Sequence, residues 1–232
     1  MRASGIKAAT AEFQRYSSAV EAFRGKYMSL PGDMSNATAF WGDDTTLCDD
    51  GNATNNGSPG TCNGDGDRTI EAPGAASATG ETFQFFKQLA LAGMIEGGYS
   101  GAAGSGWATQ AVRNTNVPSS KVRNAGWGIQ YLGVYAGDGT LFALDYGNAF
   151  VLGGFPTASG FLSTPVLQPI EAWSIDDKLD DGRPGYGHVI ASDWAGTCSA
   201  ADDGGNANND LAASYRKTDN EQRCTLYFVR AM

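Results

Sequence analysis

The residues best suited to chemistry stand in the stretch Asn63-Gly64-Asp65-Gly66-Asp67-Arg68-Thr69-Ile70-Glu71. Asn63, Asp65 and Asp67 alternate, and on a tight turn alternate residues aim their oxygens at one point. That is what Ca²⁺, a hard cation taking about six to eight oxygen ligands, requires. Thr69 would add a backbone carbonyl and Glu71 a carboxylate, with Asp49 or Asp50 as further donors, while Ile70 would pack under the loop. Two residues depart from the familiar calcium loop: Arg68 stands where it has a glycine, and Gly74 where it has a bidentate glutamate. A plain Asx turn is the alternative. The run from Asp202 to Asp210 is a weaker second candidate.

Catalytic patterns are mostly missing. There is no Gly-x-Ser-x-Gly, no phosphate loop and no His-Glu-x-x-His, and the single histidine, His188, reads as a surface or capping residue. Asp176 with Asp180, or Asp177 with Asp181, have the helical spacing that would pair two carboxyls for glycoside hydrolysis. Beside a Gly-Pro turn, such carboxylates read better as solvated or helix-terminating. The four cysteines form two local pairs, Cys48 with Cys62 and Cys198 with Cys224, each bracketing a segment rich in Gly, Asn and Asp. Two disulfides are the natural reading and imply export to an oxidising compartment. Zinc is the competitor, but no Cys-x-x-Cys occurs.

These groups need elements to position them. Ile6, Phe13, Tyr16, Val20, Phe23 and Tyr27 recur at helical spacing, with alanines between them and Lys7, Glu12, Gln14, Arg15, Glu21 and Arg24 on the other face. The spacing predicts a helix over 6–29, stopped by Pro31 and Gly32. Residues 35–80 read as an insertion-like loop anchored on the core by Phe40 and Trp41. A second helix is expected from Glu81 to about Met94, and a short one from Gln168 to Leu179. Strand-like runs lie near Trp127–Tyr135, Leu141–Tyr146 and Ala149–Leu152, with a hairpin signal in 136–140, and the stretch from Cys224 to Val229 suits a buried strand.

With 232 residues the chain is long enough to bury a real core, and no linker separates two domains. Its 32 glycines predict a loop-rich fold. Twenty-five acidic against 16 basic side chains give a net charge of −9, with no basic stripe for phosphates, so nucleic acid and anionic membrane surfaces are poor partners. Neither a signal peptide nor an apolar run of membrane-spanning length is present, so an exported protein would have lost its targeting segment.

The order of these motifs carries a resemblance. Phe13, Tyr16, Ala19-Val20, Phe23 and Lys26-Tyr27, then Leu30-Pro31-Gly32-Asp33-Met34, Asn36-Ala37, the Asn63–Asp67 stretch, Glu81–Phe86 and Ile95–Tyr99 together resemble the type IV pilin and type II secretion pseudopilin superfamily. The stretch Ile175–Val189, Gly196-Thr197-Cys198 and Cys224–Phe228 match the same group. The resemblance implies an α+β fold: a long N-terminal α-helix packed on an antiparallel β-sheet, with a loop-rich head. Residues 1–30 would be the distal half of a stem helix and 31–232 a globular head domain.

In that family an apolar helical segment, exposed when a prepilin peptidase removes a short leader, precedes the stem. The leader, its cleavage glycine and the fifth-position glutamate are absent from these residues, and the resemblance implies a soluble head from which they have been removed. It further implies a non-enzymatic filament subunit, with other pilin or pseudopilin subunits and, through the missing helix, the inner membrane as partners. The loop bounded by Cys198 and Cys224 would make subunit contacts, and calcium stabilises some heads of this kind. An exported, calcium-stabilised carbohydrate-binding or adhesion module using Trp107, Trp127 and Trp194 is the alternative.

Overall fold

The computed structural model describes residues 3–44, 48, 60–73, 80–106, 109–135, 141–156, 160–192, 197–200, 212–230 and 232. Helix α1 spans Ala3–Tyr27. Alanines and long unbranched side chains favour it locally, and Arg24 and Lys26 in its last turn suit the negative end of its dipole. Its inward face is Ala9, Glu12, Tyr16, Ala19, Val20 and Phe23, while Ile6, Phe13 and Tyr27 are half-buried at the margins. The helix ends at Met28, which turns left-handed at φ 58° while its N–H still reaches the Arg24 carbonyl at 2.9 Å. Pro31 and Gly32 then redirect the chain. Gly32 has φ 89°, and a Cβ there would lie 2.5 Å from the Glu81 carbonyl oxygen, so the turn must be bare to pass the next helix.

Four antiparallel strands form the main sheet: β1 (Ala125–Tyr131), β2 (Asn148–Gly154), β3 (Val189–Ala191) and β6 (Leu226–Val229), in the order β1-β2-β6-β3. The register pairs Trp127 with Leu152, Leu152 with Leu226 and Leu226 with Ala191, which places Trp127, Ile129, Phe150 and Phe228 on one face. Aromatic side chains of α1 cover that face. Phe13 stacks on Phe228 at 4.4 Å between centroids, and Tyr16 lies against Trp127, Phe150 and Phe86. On the other face Gly126 and Gly128 leave room for the rings of Phe155 and Phe161.

Helix α2 is a single turn at Thr38–Trp41, α3 spans Glu81–Leu91, and α4 spans Pro169–Leu179 with Gln168 and Glu171 as a capping box. Two short strands, β4 (Ser199–Ala200) and β5 (Ser214–Tyr215), pair beside the disulfide Cys198–Cys224. The second disulfide joins Cys48 to Cys62. The fold is therefore mixed α+β, with an N-terminal helix, an antiparallel sheet and two disulfides. No described helix is long and apolar enough to cross a membrane.

Several expectations need correction. Glu12, assigned to the solvent face, is only 8 % exposed, because its carboxylate accepts three hydrogen bonds: from Trp127 Nε1 at 2.9 Å, Ser120 Oγ at 2.6 Å and the Lys121 N–H at 2.9 Å. Phe40 is 54 % exposed rather than anchored in the core. Trp41 is half-buried and packs beside Phe23 and Tyr27 at the helix end. Leu141–Tyr146 forms no strand beyond a bridge between Val134 and Asp145, since Tyr146 turns its hydroxyl back to the Phe142 N–H at 3.0 Å. Helix α3 stops at Leu91, short of Met94. The hairpin signal at 136–140 lies outside the described residues.

Candidate metal centre

The loop from Asn63 to Glu71 is held from below by α3. Gln84 and Gln88, one turn apart on its buried face, grip the segment Thr61-Cys62: Gln84 Oε1 accepts from Thr61 Oγ1 at 2.7 Å and the Cys62 N–H at 3.2 Å, and Gln88 Nε2 donates to the Cys62 carbonyl at 3.1 Å. Gln88 also accepts the Gly32 N–H at 2.7 Å, tying the end of α1 to the same point. The disulfide at Cys62 fixes the start of the loop, and fully buried Ile70 plugs its end into the core.

Between these anchors the backbone turns left-handed twice. Arg68 itself takes φ 75° and Gly66 φ 84°. The Arg68 N–H is bound by Asp33 Oδ2 at 3.0 Å, and its carbonyl by Asn148 Nδ2 at 2.8 Å, which hold the residue in a conformation side chains seldom adopt. Asp65 Oδ1 accepts the Asp67 N–H at 3.1 Å, and Asp67 Oδ1 accepts the Thr69 N–H at 2.7 Å and its hydroxyl at 2.6 Å. The Thr69 hydroxyl lies between the carboxylates of Asp67 and Glu71.

Carboxylate oxygens of Asp33, Asp65 and Asp67 lie within 4.8 Å of one another. Ligands held about 2.4 Å from one Ca²⁺ cannot be more than about 4.8 Å apart, so this spacing fits a shared ion. Asp33 was not singled out in the sequence. It comes from the turn after α1, is 2 % exposed, and accepts the Gly66 N–H at 2.7 Å as well as that of Arg68. Glu81, the first residue of α3, brings a further carboxylate beside the loop, accepting from the Asp65 N–H at 3.0 Å. The signals available for both were an aspartate inside Leu30–Met34 and a glutamate opening a helix. Asn63 is turned elsewhere, its Oδ1 capping the Thr38 N–H at 2.9 Å. Asp49, Asp50 and the run 202–210 lie outside the described residues.

The charges show the strain of this crowding. Burial, reinforced by a hydrogen bond that the protonated Glu81 donates to the Glu71 carboxylate, pushes Glu81 up to about 8, and burial raises Asp33 as well. Exposed Asp67 is held below the usual carboxylate range by its two bonds from Thr69. A divalent cation would relieve this repulsion with the donor type Ca²⁺ prefers. The residues present fit the ion.

Asp176, Asp180 and Asp181 form a second carboxyl group within 4.8 Å. Their oxygens are engaged by Tyr215, by the Gly182, Val189 and His188 N–H groups and by the Arg183 N–H, so they knit the turn after α4. His188 is exposed. Trp127 is fully buried and unavailable to a ligand, while Trp107 and Trp194 lie outside the described residues. Compared with family models, with curated proteins and with solved structures, the chain matches none.

Proposed function

We propose that this chain is the head and distal stem of a structural, non-enzymatic filament subunit of the type IV pilin or pseudopilin kind, exported and assembled with other subunits. The observation that supports it most is α1: twenty-five residues of unbroken helix whose aromatic seam lies on an antiparallel sheet and whose end is set by Met28, Pro31 and Gly32. In this reading residues 1–30 continue an apolar helix that inserts in the inner membrane and then in a filament core. Residues 31–232 form the exposed head, and the acidic loop stiffens that head by holding Ca²⁺ through Asp33, Asp65 and Asp67. The two disulfides agree with an oxidising, exported setting. The test is to read the codons upstream of residue 1. A short leader ending in glycine followed by an apolar stretch is expected; a secretory signal with a small-residue cleavage site and a linker would overturn the proposal.

A second reading, an exported carbohydrate-binding or adhesion module, draws on one patch. Phe40 at 54 % exposure lies 5.2 Å from Tyr27 and 5.8 Å from Trp41, between ring centroids. Binding on a glycan array that disappears in a Phe40→Ala variant would favour it; no binding with or without Ca²⁺ would dispose of it.

A further inference from the structure

A separate feature is the charge along the outer side of β1, the side away from β2. From Gly97 to Gly137 the chain carries Arg113, Lys121 and Arg123 and no acidic residue, although the whole chain has 25 acidic side chains against 16 basic ones. All three cations are exposed, and no ion pair among the described residues includes them. They stand on one folded turn. Ser119 bridges to Gly126 and the Pro118 carbonyl accepts the Trp127 N–H at 2.9 Å, which lays the turn against the first residues of β1.

Little in this turn is loose. The Arg113 guanidinium lies 4.5 Å from the centroid of the Phe155 ring, which fills the space left by Gly126. Val122 is buried, so Lys121 and Arg123 on either side of it face solvent together. The Lys121 N–H and the Ser120 hydroxyl are held by Glu12, which is buried beneath the turn, and the Ala125 N–H reaches the Val122 carbonyl at 3.1 Å. The opposite charge gathers at the other end of the strand. There the Tyr131 N–H donates to the Ile70 carbonyl at 2.8 Å and brings the acidic loop alongside. Asp43, Asp65, Asp67 and Glu71 are exposed there against Arg68, with Asp43 joined to the loop by its bridge to Thr61. About 17 Å of strand between Gly126 and Tyr131 keeps the two ends of one chain apart.

We propose that the turn 113–124 is a docking surface for a second copy of this chain, whose acidic loop it receives through Arg113, Lys121 and Arg123. The turn repels its own counterpart, so the contact joins two unlike faces. Because the turn is already ordered, little conformational freedom is lost on docking. With an ion in the loop, Asp43 and Glu71 keep that face negative.

Sedimentation of the intact chain in chelator near neutral pH tests this. At about 0.1 M salt, where the repulsion between net charges is screened beyond about 10 Å, the apparent mass should rise with concentration; at about 1 M, where charges act over about 3 Å, the rise should vanish. Lys121→Glu with Arg123→Glu should weaken the association by more than about tenfold, since like charges then face each other. Lys7→Glu with Lys178→Glu makes the same change of net charge at exposed positions elsewhere and should weaken it less than about threefold. A carbodiimide, which condenses an amine with a carboxylate, should join Lys121 to Asp43, Asp65, Asp67 or Glu71. In a mixture of ordinary and isotope-labelled chains the joined peptides should pair light with heavy. An apparent mass that stays at that of one chain, equal weakening by the two double variants, or Lys121 joined only within its own chain would overturn the docking surface. The four substituted positions are exposed, so both variants keep the fold, which circular dichroism checks. The contact does not depend on the filament reading, which the upstream codons decide.

Discussion

Replacing Glu12 by alanine should detach α1 from the sheet at its midpoint. The carboxylate receives the Trp127 indole N–H, the Ser120 hydroxyl and the Lys121 N–H, so the substitution strands one fully buried donor and two partly buried ones. A buried donor left without a partner costs about 1–3 kcal/mol; counting the indole in full and the other two at a discount, the loss is about 3–5 kcal/mol. For a chain of this length each kcal/mol moves the melting temperature by roughly 2–4 °C, so a drop of about 10 °C is expected. The assay is thermal unfolding followed by circular dichroism, with Glu21→Ala as control, since Glu21 pairs with Arg24 at the surface and should shift melting by no more than a degree or so. Glu12→Gln, which keeps an acceptor for the indole, should recover about half the loss. Equal melting of Glu12→Ala and the parent would refute the reasoning, because the burial and the three donors would then count for nothing.

Two further outcomes are expected. Calcium should raise the melting temperature, a chelator should reverse the gain, and Asp65→Ala should abolish it; at a hundred times the dissociation constant the stabilisation is about 2.7 kcal/mol. No chelator effect would mean that the loop is held without an ion, by its disulfide, Ile70 and the hydrogen bonds of Gln84, Gln88, Asp33 and Asn148. Met28→Gly should stabilise by about 1 kcal/mol in urea titration, because Met28 sits at φ 58° with 89 % of its surface exposed and glycine meets no penalty there; a loss of stability would mean that the methionine makes a contact the turn needs.

Periodicity made α1, α3 and α4 legible, since helices announce their buried stripe locally. The sheet was harder. β1 and β2 run continuously apolar or glycine-rich because both faces are covered, so no alternation marks their ends, and Gly126 and Gly128 look like breakers until Phe155 and Phe161 are seen against them. Glu12 was misassigned for a related reason: a helical wheel places a carboxylate outside unless partners from residues 120–127 are known. Within the acidic loop the alternation of Asp65 and Asp67 was readable, but the convergence of Asp33 on them depends on the turn after α1 meeting the loop. Arg68 shows the limit of a motif's consensus, for its left-handed turn is maintained by Asp33 and Asn148 rather than by residue type.

The placement of β6 between β2 and β3 has a consequence for how the chain acquires its shape. Ala149–Leu152 wait for partners some seventy-five residues later, at Leu226–Val229, and Val189–Ala191 have no sheet neighbour until those same residues arrive. Until those residues are made, α1 and the β1–β2 hairpin have an open seam, so closure is a late, non-local and comparatively slow event.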